Sequence, residues 1–541
     1  MSIKEKTFAL IDGLKATCQQ YGLGNDGNEY KIITQVFLYK FLNDKFGFEL
    51  KKISQKLRDA EKWETEYAAF SEDDRLDLWD MLSADVPKLK AEHLIANLWN
   101  QSAKGDFDVI FDATMRDIAD LNIEIFNTHT TEETKIPIFE NLTVFVTDTA
   151  RRADFARALV DRLASFSFEE TFAEHYDFFA AIFEYLIKDY NTAGGGKYAE
   201  YYTPHSIATI MARLLVGENA DLHSMQCYDP SAGTGTLLMA LAHQIGEQRC
   251  TIYSQDISQR SNKMLKLNLL LNNLVSSLDN AIQGDTLVSP YHKEDDGITL
   301  KQFDFVVSNP PFKMDFEDTR EKIAAQPVRF WAGVPNVPAK DKDKMAIYTC
   351  FIQHVINSLK DSGKGAIVIP TGFLTAKSGI EKKILQKIVD EKIIYGVVSM
   401  PSNVFATTGT NVSVLFFDKS KKSEEVILID ASKLGEEYKE GKNQKKRLRD
   451  FEIEQIISTF RDKKSVDDFS ISVTYDKIKG KNYSLSAGQY FDIKIEFVEI
   501  TEEEFQQKLA DFQSELEELT NQGNELDKKI AEGLKKLRFN S

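Results

Sequence analysis

YDPSAGTGTLL, Tyr228 to Leu238, joins a short apolar strand (QCYDPS) to a helical stretch (TLLMALAHQIG), and its two glycines set the register of everything that follows. Asp229, Gly233 and Gly235 form a tight strand-to-helix turn. Glycine there lets a ligand approach the backbone, and the start of the helix offers N–H groups to a negative group. The next strand, TIYSQDI, ends in Asp256, where a carboxylate can accept hydrogen bonds from both hydroxyls of a ribose. The strand after it ends at Asp285 in QGDT, where a carboxylate can receive an adenine amino group. Each acid alone could cap a helix; three successive strand ends carrying this set point to a nucleoside-type ligand. The turn departs from GxGxxG because Leu238 stands at the third glycine position. Lys197 in GGGKY is followed by tyrosine and lacks the earlier glycine of a phosphate loop. A dehydrogenase and an ATPase both lose ground.

Outward from this turn, short apolar strands alternate with helical stretches as far as VSVLFFDKS. That succession predicts crossover connections, a largely parallel sheet with helices on both faces, and a ligand at the carboxyl ends of the strands near a topological switch point. Residues 1–165 read as an α-helical domain, with EYKIITQVFLYKFLNDKF carrying apolar side chains at helical spacing. A further helical stretch, HYDFFAAIFEYLIKDYNT, ends at Gly194, Gly195 and Gly196. The strand–helix alternation fills residues 166–425, and residues 426–541 form an extension. At the start of that extension a further strand, EEVILID, is followed by the basic run KEGKNQKKRLRD, and the chain closes on a helix with Phe505, Leu509, Phe512, Leu516, Leu519, Leu526 and Ile530 at spacings of three, four or seven. The stripe fits a coiled coil or docking helix, and equally a helix packed on its own domain.

With 541 residues, 42% hydrophobic and 28% charged, the chain has the composition of a soluble protein of several domains. The first residues, MSIKEKTFALIDGLK, lack the apolar block of a signal peptide, and no stretch is apolar for long enough to span a bilayer. Four scattered cysteines and eight dispersed histidines lack metal-ligand spacing, so no metal and a reduced, cytoplasmic setting are expected. A net charge of −17 argues against coating nucleic acid by electrostatics alone, while leaving room for a local basic face or a basic partner. The run from Lys445 to Arg449 is either such a face or a solvated loop.

One further stretch, SNPPFKM from Ser308 to Met314, follows the apolar strand FDFVVS. Taken in order, EYYTP (Glu200 to Pro204), DPSAGTG (Asp229 to Gly235), QDIS, GDT and NPPF (Asn309 to Phe312) resemble the S-adenosylmethionine-dependent amino-methyltransferases of DNA. More narrowly, with the helical N-terminal domain and AIYTCFIQHVINSLKDSGKGAIVIP, the chain resembles the modification subunit of type I restriction-modification systems over nearly its whole length. The resemblance implies a Rossmann-like α/β methyltransferase domain with a seven-stranded, mostly parallel sheet, and S-adenosylmethionine as cofactor. It places Glu200, Tyr201, Tyr202, Thr203, Pro204 and His205, together with Ser231, Ala232 and Gly233, around the methionine part of that cofactor, and Asp256 on its ribose. It also implies a separate specificity subunit bound by two copies of this chain, a restriction subunit in the full complex, and double-stranded DNA as substrate.

NPPF suits the chemistry of an exocyclic amine, whose lone pair is delocalised into the base. The Asn309 side-chain carbonyl and the Pro310 backbone carbonyl are two acceptors for its N–H groups. Pro310 and Pro311 fix the second acceptor without adding donors, and Phe312 offers a face on which a flipped base can stack. The motif serves adenine N6 and cytosine N4 alike, and only the resemblance favours adenine. A protein-glutamine or RNA methyltransferase, a restriction-modification fusion and a catalytically silent assembly subunit are the other readings.

Overall fold

The computed structural model describes residues 2–536 apart from 25–26, 84–85, 124–127, 131–134, 137–138, 170–171, 173–181, 183–184, 186–202, 219–220, 406–410, 421–422, 441–442 and 492–500. Glu200, Tyr201, Tyr202 and the three glycines at 194–196 lie outside the described residues, as does the helical stretch before them except Ile182 and Tyr185. The described residues fall into two compact units, Met1–Tyr490 and Phe491–Ser541.

The first unit begins with helices. Helix α1 (Ile3–Gln20) starts at a capping box in which Ser2 and Glu5 satisfy each other's backbone N–H groups. It packs Leu10, Ile11, Leu14 and Cys18 inward, the spacing of one helical face. The stretch predicted as helical from Glu29 is helix α2 (Gly27–Ile53). Helices α3 (Phe107–Leu121) and α4 (Arg152–Ala164) complete the bundle around Phe37, Phe111, Phe155 and Phe168. Asp112 is buried in α3 without being orphaned: it accepts from Leu142 N, Thr143 N and the Thr143 hydroxyl.

After helix α5 (His205–Val216) the chain enters the sheet: β1 (Met225–Asp229), helix α6 (Thr236–Ile245), β2 (Cys250–Asp256), helix α7 (Gln259–Leu271) and β3 (Ala281–Gln283). There follow β4 (Phe303–Ser308), helix α8 (Glu317–Ala324), helix α9 (Tyr348–Asn357), β5 (Leu359–Pro370), helix α10 (Gly379–Asp390), β6 (Ile394–Ser399) and β7 (Val412–Asp418). These seven strands lie in the order β3-β2-β1-β4-β5-β7-β6. All pairings among them are parallel except the two made by β7. From β1 the chain builds outward to one side through β2 and β3, then returns to place β4 on the other. The switch point is therefore the crevice between the ends of β1 and β4.

The sheet is larger than the seven strands expected, with eleven among the described residues. The short strands Thr128–Thr130 and Lys135–Ile136 extend it beyond β3. At the other edge β8 (Glu425–Asp430) pairs in parallel with β6, and β9 (Ser470–Thr474) pairs antiparallel with β8. The sheet thus continues past residue 425, and helix α11 (Asp450–Arg461) covers it there. Gly396 makes that cover possible, since a Cβ at this position would sit 2.1 Å from Cζ of Phe460.

The basic run folds into a hairpin, Glu436–Glu440 with Asn443–Arg447. Glu436 stands opposite Arg447 and Glu437 opposite Lys446, with ion pairs at 3.7 and 3.9 Å. Arg449 pairs with Glu452. Much of the positive charge is balanced across the hairpin, which favours the solvated reading over a phosphate-binding face. In the second unit, helix α12 (Glu502–Lys536) carries the apolar stripe, and the seven stripe residues from Phe505 to Ile530 are exposed. Among the described residues no helix is long and apolar enough to cross a membrane.

Candidate active site

Asp229 closes β1, and its Oδ1 accepts the N–H of Ser231 at 2.9 Å, which bends the chain into the turn. Gly233 (φ 52°) and Gly235 (φ 83°) are both left-handed, and Gly235 caps α6. A Cβ on Gly235 would approach Cδ1 of Leu265 to 2.1 Å, so glycine is needed here for conformation and for close packing of α7. The turn is tied to the neighbouring strand: Ala232 N donates to Gln255 O, and Gly233 N donates to Oδ2 of Asp256 at 2.8 Å. The other oxygen of Asp256 accepts Ser258 N, also at 2.8 Å. Asp256 therefore braces the turn, and each oxygen still has a lone pair to offer a ligand hydroxyl. Asp285 behaves similarly at the end of β3, with Oδ1 accepting Leu287 N at 2.9 Å and Val288 N at 3.2 Å. Thr286 then ties this loop to the first by donating to Pro230 O at 2.7 Å.

These strand ends open on a cavity of about 690 Å³. Of the residues singled out in the sequence, Ser231, Asp256, Asp285 and Pro311 line it. Asp229, Ala232, Gly233 and Gly235 frame it from beneath. Carboxylates at two strand ends, the glycine turn at a helix start and apolar walls are the chemistry a nucleoside-type cofactor requires, and the volume suits one. Ile257, Leu287 and Phe316 supply those walls and were not foreseen. Ile257 is an apolar side chain left 59% exposed directly after the acid of β2, a signal meaningful only once the cavity is seen. Tyr30 of α2 also reaches this cavity, with the Arg260 guanidinium 4.2 Å from its ring centre, so the helical bundle contributes to the wall.

Burial raises both acids at the turn, and Asp229 is pushed up to about 8 despite the Ser231 N–H, with the charge of Asp256 adding to the effect. A folded-state value above the ordinary 3.8 means that the folded chain keeps a proton the unfolded chain has lost. Stability is therefore lost as pH rises from about 4 to about 8. Asp229→Asn keeps the acceptor for Ser231 and removes the titration. Its advantage in melting temperature over the parent is expected to widen steadily toward pH 8, as read by thermal unfolding of the cofactor-free protein across that range.

Asn309 follows the last residue of β4, in the switch-point crevice. The Ser308 hydroxyl lies 2.6 Å from that of Ser231, which sets the NPPF segment directly against the glycine turn. Asn309 and Pro310 are buried, while Pro311 and Phe312 are half-buried. The Phe312 ring meets Tyr348 edge-on at 6.4 Å. Asn309 Nδ2 donates to the Thr203 hydroxyl at 3.0 Å, with both residues buried. Pro204 caps α5, His205 is its first residue, and neither lines the cavity.

The segment RFWAGVP anchors the loop after NPPF. Buried Arg329 donates to the carbonyls of Thr286 at 2.6 Å and Leu287 at 2.9 Å, and to Nδ1 of His354 at 2.9 Å. His354 Nε2 in turn meets the Tyr228 hydroxyl at 3.2 Å. Burial lowers Arg329 to about 10 and pushes His354 well below its usual value, leaving one charged and one neutral partner at neutral pH. This chain of bonds ties the loop to the cavity wall beneath Leu287. Trp331 is held from outside by Lys387, 4.9 Å from its ring centre.

Known proteins bear on this arrangement. Residues 174–497, more than half of the chain, match the family described as N-6 DNA Methylase. The methylase subunit of the type I restriction enzyme MpnII of Mycoplasma pneumoniae is 28% identical over 355 residues, covering 64% of this chain and 63% of that protein. The MjaIX methylase subunit of Methanocaldococcus jannaschii is 27% identical over 400 residues, covering 70% of this chain and 67% of the relative. The chain thus spans slightly under two thirds of the length of the Mycoplasma relative. The methyltransferase subunit of a type I restriction-modification system from Streptococcus thermophilus superposes with a TM-score of 0.72 at 21% identity, over 90% of this chain and 99% of that one. A modification subunit of a type I restriction enzyme from Vibrio vulnificus does so at 0.55 and 16%, over 88% and 93%. These two likenesses establish the fold, a methyltransferase α/β sheet with a helical N-terminal part. The match over residues 174–497 carries the further conclusion: the chain belongs to the N-6 DNA methylase family.

Proposed function

We propose that this chain is the modification subunit of a type I restriction-modification system, methylating N6 of adenine in duplex DNA at a sequence chosen by a separate specificity subunit. The observation that carries the reading is the Ser308–Ser231 hydroxyl contact, because it sets an amine-accepting NPPF segment beside a nucleoside-type cavity at the sheet's switch point. When bound, S-adenosylmethionine supplies an electrophilic methyl group. The cavity residues would hold it, with Asp256 proposed for the ribose, Asp285 for the adenine amino group, and Ile257 and Leu287 for its apolar contacts. Pro204, His205 and Ser231 are proposed for its methionine end, with Glu200, Tyr201 and Tyr202 as the resemblance implies.

The target adenine leaves the duplex stack and rests on Phe312. Oδ1 of Asn309 and the Pro310 carbonyl accept its two N–H groups. That favours the pyramidal nitrogen whose lone pair can attack, so the gain comes from positioning and electrostatics with no covalent enzyme intermediate. Incubating the chain and its co-encoded specificity partner with methyl-labelled cofactor and duplex DNA tests the reading. Label in DNA is expected, and its absence from an assembled, cofactor-bound complex would overturn it.

The partners follow from the same reading: the specificity subunit, a restriction subunit in the full complex, and two copies of this chain, all in the cytoplasm. The exposed stripe of α12, a helix roughly 50 Å long at 1.5 Å per residue, is the proposed docking element. Deleting residues 502–541 is expected to leave cofactor affinity unchanged and abolish co-purification with the specificity subunit on size exclusion. Normal assembly of the truncated chain would refute that role.

A further inference from the structure

We propose that Thr203, which the family resemblance places around the cofactor, is a positioning residue for Asn309: it holds the Asn309 amide by its nitrogen end and leaves the oxygen for the target amine. The inference rests on the function proposed above and concerns the same site. Asn309 is 7% exposed and Thr203 4%, and Nδ2 of Asn309 donates to Oγ1 of Thr203 at 3.0 Å. Among the described residues no other hydrogen bond is made by this amide. An asparagine amide has nearly the same shape in its two flipped orientations but opposite chemistry at its tip. With the oxygen toward the base it accepts an N–H of the target amine, whereas with the nitrogen there it presents a donor to a donor. Since Thr203 occupies the nitrogen end, Oδ1 is the atom left to accept.

The placement has a structural basis. Thr203 immediately precedes Pro204, the cap of α5, whose fixed φ and engaged carbonyl hold the backbone at this point. Asn309 extends from the end of β4, whose last residue is bound to the glycine turn. A hydroxyl on one rigid element therefore meets an amide on another. Removing it leaves a buried amide N–H without its partner and frees the amide to turn.

The test uses the full chain in complex with its specificity partner. Thr203→Val keeps the shape and removes the hydroxyl. It is expected to lower kcat for methyl transfer about 10- to 100-fold, with the dissociation constant for S-adenosylmethionine, measured by calorimetry, unchanged. Thr203→Ser restores the hydroxyl and with it the transfer. In an Asn309→Asp background Thr203→Val is expected to change kcat by less than about threefold, because a carboxylate is an acceptor at both oxygens.

A Thr203→Val variant with weakened cofactor binding and an unchanged kcat would make Thr203 a cofactor contact and overturn the proposal. An equal loss of kcat in the Asn309→Asp background would overturn it too, by showing a merely structural role. If the parent complex transfers no methyl group to an amine, the proposed function itself has failed, an outcome distinct from both.

Discussion

Asn309→Ala is expected to lower methyl transfer by a factor of about 1000 or more while leaving the affinity for S-adenosylmethionine within about threefold of the parent. The separation follows from where the side chain sits. Asn309 is buried in the crevice and does not line the cavity, so the cofactor walls survive its truncation. The bond joining this segment to the glycine turn is made by Ser308, one residue earlier, and also survives. What is lost is an acceptor needed only as the amine nitrogen becomes pyramidal, and such a loss appears in kcat. Single-turnover transfer and a calorimetric titration of the same preparation check both halves. Transfer retained to within tenfold of the parent would remove Asn309 from the chemistry.

The second large effect is expected at Asp256. Its two oxygens hold Gly233 N and Ser258 N, both at 2.8 Å, so one carboxylate shapes the turn, starts α7 and lines the cavity. Asp256→Ala removes all three functions, and cofactor affinity should fall at least about 100-fold, given the cost of leaving buried donors unpaired as well as losing the ligand's own bonds. Asp256→Asn keeps one acceptor oxygen, so its loss should be smaller. A titration calorimetry series of parent, Asn and Ala variants gives the order directly, and equal affinity for all three would remove Asp256 from the cofactor site.

The parts of this fold that were legible in the sequence are those with local signals. The glycine turn, the strand-end acids and the alternation of apolar strands with helices each follow from backbone sterics or hydrophobic period, and each appears where it was expected. The antiparallel insertion of β7 between β5 and β6 leaves no local trace, because a buried strand reads the same in either direction. The extra edge strands were missed for a similar reason: Thr128–Thr130 and Ser470–Thr474 are short and take their strand character from the neighbours they pair with.

At the cavity, the acids and the glycine turn were readable in the sequence and the apolar walls were not. Ile257, Leu287 and Phe316 are ordinary apolar residues until three segments converge, and Tyr30 arrives from the other end of the chain. Arg329 carries no local signal within RFWAGVP, yet it is the buried cation locking that loop to the cavity wall. The run at Lys445 to Arg449 kept its charge and lost much of its promise, since Glu436 and Glu437 face it across a hairpin.

Among all these tests, nucleoside analysis of the methylated product bears most directly on the proposed reaction. Duplex DNA treated with the chain, its specificity partner and methyl-labelled S-adenosylmethionine is digested to nucleosides and separated by mass. Label in N6-methyladenine, lost with Asn309→Ala, is the expected result; label in N4-methylcytosine, or in no nucleoside at all, would contradict it.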